Sequence, residues 1–279
     1  MRRPSLGTAV PLVALATLAF AAPASLAPAR AQDLVWARYG DIDSLDPHRA
    51  TSTLSMQVWD QIYDTLLAFA MDGTPVPNMA ASVEEGEDGL SYTFTLNEGI
   101  LCHDGSPFTA EDVKFTIDRA LADATASLTK AAWGPISAVE VIDELTVRVD
   151  LASLIGAFLP FLADSFSSMV CASNDPATFG STTAIGTAPF MLVSWVRGDT
   201  VTLERNDDYV NWGRPLENQG PPHVERLIVR TVPEAQTRLA ALRTGEVHIA
   251  EPPFDDIPAI QAAGELDIVV AENTGQNVF

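Results

Sequence analysis

The residues whose side chains most often perform chemistry are few in this sequence and lie far apart. The four histidines, which show no paired metal-binding spacing, are His48, His103, His223 and His248. The run Cys102-His103-Asp104 contains three types of metal ligand. Three adjacent residues cannot all face one ion on a strand, and the following Gly105 indicates a turn. We therefore expect no metal site in this chain.

Patterns typical of catalysis are also missing from the sequence. It contains no Gly-x-Ser-x-Gly elbow, no His-Glu-x-x-His, no Cys-x-x-Cys and no glycine-rich phosphate loop. The 37 acidic residues produce many Asp and Glu pairs by chance, so their number does not argue for a two-carboxylate hydrolase. The sequence predicts neither an enzyme nor a bound cofactor.

Cys102 and Cys171 are the two cysteines of the chain. In an oxidising compartment an even pair suggests a disulfide. The bond would close a loop of about 70 residues and would stabilise the fold by about 4 kcal/mol. The alternative, two separate buried thiols, stays open at this point.

The first 31 residues have the layout of a secretory signal peptide. Arg2 and Arg3 precede an apolar run over residues 10–22, and Ala29-Arg30-Ala31 provides a small-x-small cleavage pattern. A transmembrane anchor is the alternative, but the run is shorter than the roughly 20 residues that span a bilayer. No cysteine lies near the cleavage point. We expect cleavage after Ala31 and a periplasmic protein without a lipid or membrane anchor.

The charge and the hydrophobic fraction of the residues after the signal peptide exclude some classes of protein. Residues 1–31 hold three of the 16 basic residues and none of the 37 acidic ones, so the remainder carries a formal charge of −24. Such a surface repels phosphate backbones and anionic lipids, which argues against nucleic-acid binding. The hydrophobic fraction of 47% is far above the range of disordered chains. We expect an acidic, folded protein.

Strand and helix patterns alternate along the rest of the chain. Apolar alternation and turn residues predict strands over residues 34–39, 92–96, 139–142, 145–151, 190–196, 200–204, 227–232 and 247–250. Helical spacing and capping signals predict helices over residues 54–66, from Thr109 onward, over 155–162 up to a break near Pro160, and from Pro233 to Gly245. This interleaving indicates a mixed α/β (α+β) fold.

Several segments, in order along the chain, together match one family of transport proteins. They are Ser44-Leu45-Asp46-Pro47-His48, Ile62-Tyr63-Asp64-Thr65-Leu66, Tyr92-Thr93-Phe94-Thr95-Leu96, His103-Asp104-Gly105-Ser106-Pro107-Phe108-Thr109-Ala110-Glu111-Asp112-Val113, Gly186-Thr187-Ala188-Pro189-Phe190, Leu203-Glu204-Arg205-Asn206, and Arg238 with Thr244-Gly245-Glu246-Val247. The joint pattern resembles the extracytoplasmic solute-binding proteins of family 5, the dipeptide, oligopeptide and nickel-binding group that serves ABC importers. Ala188, where the family usually has Gly, and His248, where Asp is common, depart from it.

The resemblance implies a two-lobed, type II (cluster C-like) periplasmic-binding-protein fold whose lobes close on a ligand. It implies that residues 32–70 and 176–272 form the main sheet domain of the first lobe, and that residues 71–175 form an inserted subdomain. Residues 273–279 would begin the crossing toward a second lobe. We expect the sequence to be truncated there.

The resemblance, together with the position of clefts at strand ends, also indicates residues that contact the ligand. They are Asp41, Ile42 and Asp43 after the first strand, Thr51 and Met56 at the following helix, Trp133, Ser167 with Ser168, and Glu251, Pro252 and Pro253. Asp41 is expected to pair with an amine, and Trp133 is expected to cover the ligand. The alternatives are that Asp41 caps its loop and that Trp133 belongs to the core.

The implied function is that of the periplasmic binding component of an ABC importer. Such a protein captures a peptide or a similar small solute without covalent chemistry and delivers it to the permease subunits of the transporter. A monomer without a cofactor is expected. The alternatives are a periplasmic ligand sensor or chaperone with the same fold, and a secreted hydrolase.

Overall fold

Three β-sheets organise residues 33–269, the part of the chain that the computed structural model describes. The strands are β1 (Leu34–Arg38), β2 (Leu67–Phe69), β3 (Pro75–Pro77), β4 (Ala80–Glu85), β5 (Ser91–Leu96), β6 (Ile136–Val141), β7 (Thr146–Leu151), β8 (Phe190–Val196), β9 (Thr200–Arg205), β10 (Arg226–Thr231) and β11 (Ile249–Ala250). The α-helices are α1 (Thr53–Trp59), α2 (Ala110–Leu121), α3 (Phe158–Leu162), α4 (Ala235–Thr244) and α5 (Ile257–Ala263). The predicted signal peptide, residues 1–31, and the predicted crossing, residues 273–279, lie outside the described residues.

The five-stranded sheet has the strand order β11-β1-β10-β9-β8. β1 runs parallel to both of its neighbours, β10 and β11, whereas β10, β9 and β8 pair antiparallel. The carboxyl ends of β1, β10 and β11 therefore lie at one edge of the sheet, together with the turn between β8 and β9. Each strand predicted for this sheet is present, with bounds that differ by at most two residues.

The first helix is shorter than its apolar spacing predicted, because α1 ends at Trp59 and not near residue 66. Ile62 and Leu66 are fully buried all the same. The carbonyl of Gln61 accepts a hydrogen bond from the Phe190 amide (2.9 Å), and that of Ile62 accepts one from Ala188 (3.2 Å). These contacts to a distant segment replace further helical bonds. The four-residue spacing of apolar side chains therefore indicated which residues are buried, and not how far the helix extends.

The four-stranded sheet has the order β4-β5-β7-β6 and is antiparallel throughout. α2 packs against β6 and β7, and the alternate residues Phe94, Val147 and Val149 are fully buried. The predicted start of α2 is confirmed: the Thr109 amide donates to Asp112 Oδ2 (2.8 Å) in a capping box. The predicted hairpin of β6 and β7 is also confirmed.

The apolar stretch over residues 155–162 differs from its prediction at Pro160. α3 begins at Phe158, so Pro160 lies in the first turn of the helix and does not end it. Proline is tolerated there because the first amides of a helix have no partner within it. The expectation of a break at this residue was wrong.

Cys102 and Cys171 are joined in the structure, with an S–S distance of 1.99 Å. Both are buried. The bond connects the segment that precedes α2 to the segment that returns toward the five-stranded sheet. The two sheets occupy the ranges expected for the main and the inserted part, and the domain boundaries themselves stay a prediction.

Candidate ligand-binding site

Four backbone segments meet where the parallel strands of the five-stranded sheet end. They follow β1, β10 and β11 and include the turn between β8 and β9, over residues 39–43, 231–234, 250–253 and 196–199. We call them together the carboxyl edge. The Thr231 amide donates to the Asp199 carbonyl (2.7 Å), which joins two of the segments directly. Ligands of open α/β sheets bind outside this kind of edge, so it is the first candidate site.

Asp41 has an internal role at this edge. Its carboxylate accepts hydrogen bonds from the amides of Ile42 (2.8 Å) and Gly198 (2.6 Å) and from Trp195 Nε1 (3.1 Å). Asp41 thus ties the loop after β1 to the β8–β9 turn, as in the loop-capping alternative. Its contact with a ligand amine stays a prediction. The neighbouring Ile42 side chain is 5% exposed and belongs to the core.

Asp43 and Thr51 are the exposed members of the predicted contact set. The Asp43 amide donates to Ser55 Oγ (2.9 Å), and that hydroxyl donates to the Asp43 carboxylate. This exchange fixes the loop against the first turn of α1. The Met56 side chain is 8% exposed and belongs to the same core cluster as Ile42, and its ligand contact stays a prediction.

Arg38 is a buried cation at the end of β1 that the sequence did not indicate. Its guanidinium donates to the Leu54 carbonyl and to Gln57 Oε1, both at 2.7 Å, and stacks on Trp36. Burial lowers the pKa of Arg38 to about 10, and among nearby charges Glu251 opposes that change most. Arg38 thus holds α1 to β1 and lies within electrostatic reach of Glu251. The presence of one arginine in an otherwise apolar strand is the sequence feature that could have indicated this buried cation.

Arg238 braces the other side of the edge from α4. Its guanidinium donates to the carbonyls of Glu251 (3.2 Å), Val232 (2.8 Å) and Pro233 (2.9 Å). The Arg238 side chain therefore connects the backbone that follows β10 to the backbone that follows β11. Within residues 33–269, the Glu251 carboxylate accepts no hydrogen bond, so it is free for an external donor. Glu251 and Pro252 are partly exposed.

Trp133 and Ser167 lie in the interior instead of at a surface. Trp133 is 0% exposed and stacks edge-on against Phe161 and His48, with ring centres 5.1 and 5.7 Å away. Ser167 is also 0% exposed, and its hydroxyl donates to the Asp164 carbonyl (2.8 Å). Neither side chain reaches solvent in this part of the protein, and the ligand contacts expected of both stay a prediction. Ser168 is buried in the same way.

The Cys102-His103-Asp104 run is structural. The Gly186 amide donates to His103 Nδ1 (3.3 Å), so Nε2 carries the proton and donates to the Ala188 carbonyl (3.0 Å). Burial lowers the pKa of His103, which favours this neutral form. No group of three metal-ligating side chains exists within residues 33–269. No helix in that range is long and apolar enough to cross a membrane.

Comparison with known proteins identifies the family to which this architecture belongs. The family described as "Bacterial extracellular solute-binding proteins, family 5 Middle" matches residues 74–279. The chain belongs to this family. The glutathione-binding protein GsiB of Pectobacterium atrosepticum is 32% identical over 248 residues, which are 86% of this chain and 46% of that protein. The GsiB of Escherichia coli K12 is 30% identical, over 88% and 47%. The family 5 chain thus spans about half the length of the curated relatives it matches.

Solved structures of related proteins share the fold. The periplasmic binding protein DppA from Helicobacter pylori, in complex with the peptide STSA, has a TM-score of 0.72 and 28% identity, over 84% of this chain and 49% of that one. AgaA from A. tumefaciens R10, in complex with agropinic acid, has a TM-score of 0.74 and 27% identity, over 82% and 46%. These are two-lobed type II binding proteins, of which the family 5 chain covers about half. The predicted family and the mixed α/β fold are confirmed.

Proposed function

We propose that this protein is the periplasmic substrate-binding component of an ABC importer and that it is not an enzyme. It captures a peptide or a similar small solute and delivers it to the permease. The membership in family 5 carries this proposal, and the carboxyl edge supports it as the place of capture. Cleavage after Ala31, and a mature protein without a lipid anchor, are parts of the same proposal.

The residues described here form the first lobe in this proposal. Residues 32–70 and 176–272 build its main sheet domain, and residues 71–175 build the inserted subdomain. The ligand lies against the exposed residues of the carboxyl edge and of the loop that precedes α1. Asp43, Thr51, Glu251 and Pro252 contact it, while Asp41, Arg38 and Arg238 hold the backbone that presents them. A second lobe closes over the ligand and excludes water.

The chemistry of the ligand is proposed from the relatives. GsiB proteins are named for glutathione, and the two solved neighbours described above hold a short peptide and agropinic acid. Each of these is a small, flexible molecule with free carboxylates. We therefore propose short peptides, glutathione among them, or amino-acid conjugates as the class of solute.

A thermal-shift experiment on the full-length protein tests this function. Pools of tripeptides, glutathione, opines, sugars and metal chelates are added separately, and a ligand of the folded state raises Tm. At a concentration 100 times Kd, the stabilisation is about 2.7 kcal/mol. We expect a shift with the peptide or opine pools.

Two matched variants locate the site. Thr51→Arg places a large cation at the proposed ligand face, whereas Thr95→Arg places it on the exposed side of β5 in the other sheet. We expect the first variant to lose the ligand-induced shift and the second to keep it. If no pool stabilises the wild type, or if Thr51→Arg responds as the wild type does, the proposal is wrong.

A further inference from the structure

Almost every cation of this acidic chain already has a partner inside it. Residues 33–269 contain 13 lysines and arginines, of which 11 form hydrogen bonds or ion pairs with other residues of the chain. The two in this range whose side chains form no hydrogen bond or ion pair are Arg49 and Arg197. Of these two arginines, only Arg197 lies at the carboxyl edge.

Arg197 is held at the tip of the β8–β9 turn by an aromatic platform. Its guanidinium carbon lies 3.9 Å from the centre of the Trp195 ring. Trp195 Nε1 donates to the Asp41 carboxylate, and the amide of Gly198 donates to the same group. The loop after β1, the indole and the guanidinium therefore form one connected unit, and Arg197 remains exposed on its outer side.

Arg49 has a different setting and serves as the comparison. It lines a separate cavity of about 290 Å³, together with Phe115, Arg119 and Phe179. Within residues 33–269 no aromatic ring stacks on its guanidinium, and its backbone amide donates to the Asp46 carbonyl (3.1 Å). Both arginines thus have side chains without a hydrogen bond or ion pair, but only Arg197 stacks on an aromatic ring at the carboxyl edge.

The stacked arrangement determines which atoms of Arg197 are available. The guanidinium lies over the ring, and within residues 33–269 none of its N–H groups donates a hydrogen bond, so they stay free to donate. A carboxylate matches that planar fork with two parallel hydrogen bonds. Because the indole and Asp41 already fix the group, little side-chain entropy is lost when an anion binds. The surrounding acidic surface repels anions elsewhere, which makes one fixed cation selective.

We propose that Arg197 binds a carboxylate of the captured solute and so selects ligands that carry a free acid group. This assignment rests on the proposed function, because it requires a solute at the carboxyl edge. It places the ligand's carboxylate near the β8–β9 turn and leaves Glu251 for a cationic group at the β11 end. Solutes with both an acid and an amine would then bind across the edge.

The test compares acids with their amides in two arginine variants of the full-length protein. Glutathione and trialanine, each as the free acid and as the C-terminal amide, are titrated against the wild type, Arg197→Gln and Arg49→Gln. We expect Arg197→Gln to weaken binding of an acid by about 10- to 100-fold, the range for a hydrogen bond to a charged group. The amide of trialanine, which has no carboxylate, should bind the wild type and Arg197→Gln equally. Arg49→Gln should match the wild type with both.

A conservative variant separates charge from geometry. Arg197→Lys keeps the charge but loses the planar fork and should bind the acid with intermediate affinity. Unchanged Tm values of the unliganded variants show that the exposed substitutions leave the fold intact.

Each other outcome has a distinct meaning. If the wild type binds the acid and Arg197→Gln binds it equally well, the role of Arg197 is overturned while the proposed function stands. If Arg197→Gln binds normally but no longer supports uptake in cells, its free N–H groups face the permease, and the assignment is wrong. If the wild type binds neither probe in either form, peptide capture and the role of Arg197 both fail.

Discussion

The four-stranded sheet and the carboxyl edge of the five-stranded sheet are held together by different kinds of contact, and one tryptophan in each region shows the difference. Trp133 belongs to the core beneath the four-stranded sheet, is 0% exposed, and is surrounded by apolar side chains such as Phe161. Trp195 belongs to the carboxyl edge of the other sheet, is partly exposed, and donates a hydrogen bond to Asp41 from 154 positions away. The same side chain packs in one region and orients a loop in the other.

This difference suggests that the four-stranded region contributes mainly to the stability of the fold and the carboxyl edge mainly to ligand binding. Around the four-stranded sheet, apolar burial, a capping box and a disulfide act together. At the carboxyl edge, the order comes from buried or partly buried polar groups that donate to distant backbone and carboxylate atoms, chiefly Arg38, Arg238 and Trp195. We expect changes in the first region to alter the free energy of unfolding and changes in the second to alter ligand affinity.

The largest effect on stability is expected from Trp133→Ala. Removing a fully buried indole leaves a cavity, and truncation of large aromatic residues costs about 3–5 kcal/mol. We expect a loss near the upper end of that range in urea unfolding, with ligand affinity unchanged below Tm. Nearly unchanged stability with weakened binding would return Trp133 to the ligand-covering role that the sequence suggested.

Loss of the disulfide should have the next largest effect. The cysteines are 69 positions apart, and in the chain-entropy account a loop of this size is worth about 4 kcal/mol. The double variant Cys102→Ala, Cys171→Ala should lose about that much in urea unfolding and should keep its affinity for ligand. Thiol titration of the unfolded, unreduced wild type is the control, and detection of two free thiols would refute the bond.

A smaller effect on stability is expected from Trp195→Phe, which keeps a ring under Arg197 but removes the N–H that Asp41 accepts. The loss of one charge-assisted hydrogen bond at a partly exposed site should cost about 1 kcal/mol or less of unfolding free energy. The loop after β1 loosens, so ligand affinity should fall more than stability does. Equal affinity in a titration against the wild type would contradict the orienting role of Trp195.

Local sequence signals predicted β5, β6, β7 and the start of α2 in the four-stranded region, whereas β4 was not predicted. The alternation of Phe94 with polar neighbours and the spacing of Thr109 and Asp112 each depend on residues a few positions apart, and the structure contains both features. The length of α1 was wrong for the opposite reason. Its end depends on hydrogen bonds to Ala188 and Phe190, more than 100 positions away.

The position of the candidate site at the strand ends stays a prediction, whereas the internal contacts of its residues were not indicated by the sequence. Parallel pairing of β1 with β11 brings residues 41–43 and 251–253 to one edge, as strand-end reasoning anticipated. The sequence could not tell that Asp41 was already satisfied, because its partners Trp195 and Gly198 are distant in the chain. Nor does the sequence tell a buried tryptophan such as Trp133 from an exposed one, because both occur in apolar surroundings.

Hydrogen–deuterium exchange of the full-length protein, with and without the compound that gives the largest thermal shift, tests the central claim most directly. If the carboxyl edge captures the solute, ligand should slow exchange in residues 39–43, 196–199 and 250–253. Exchange in residues 80–96 and 136–151, which cover the four-stranded sheet, should stay the same. Protection confined to the four-stranded sheet, with the carboxyl edge unchanged, would contradict the account.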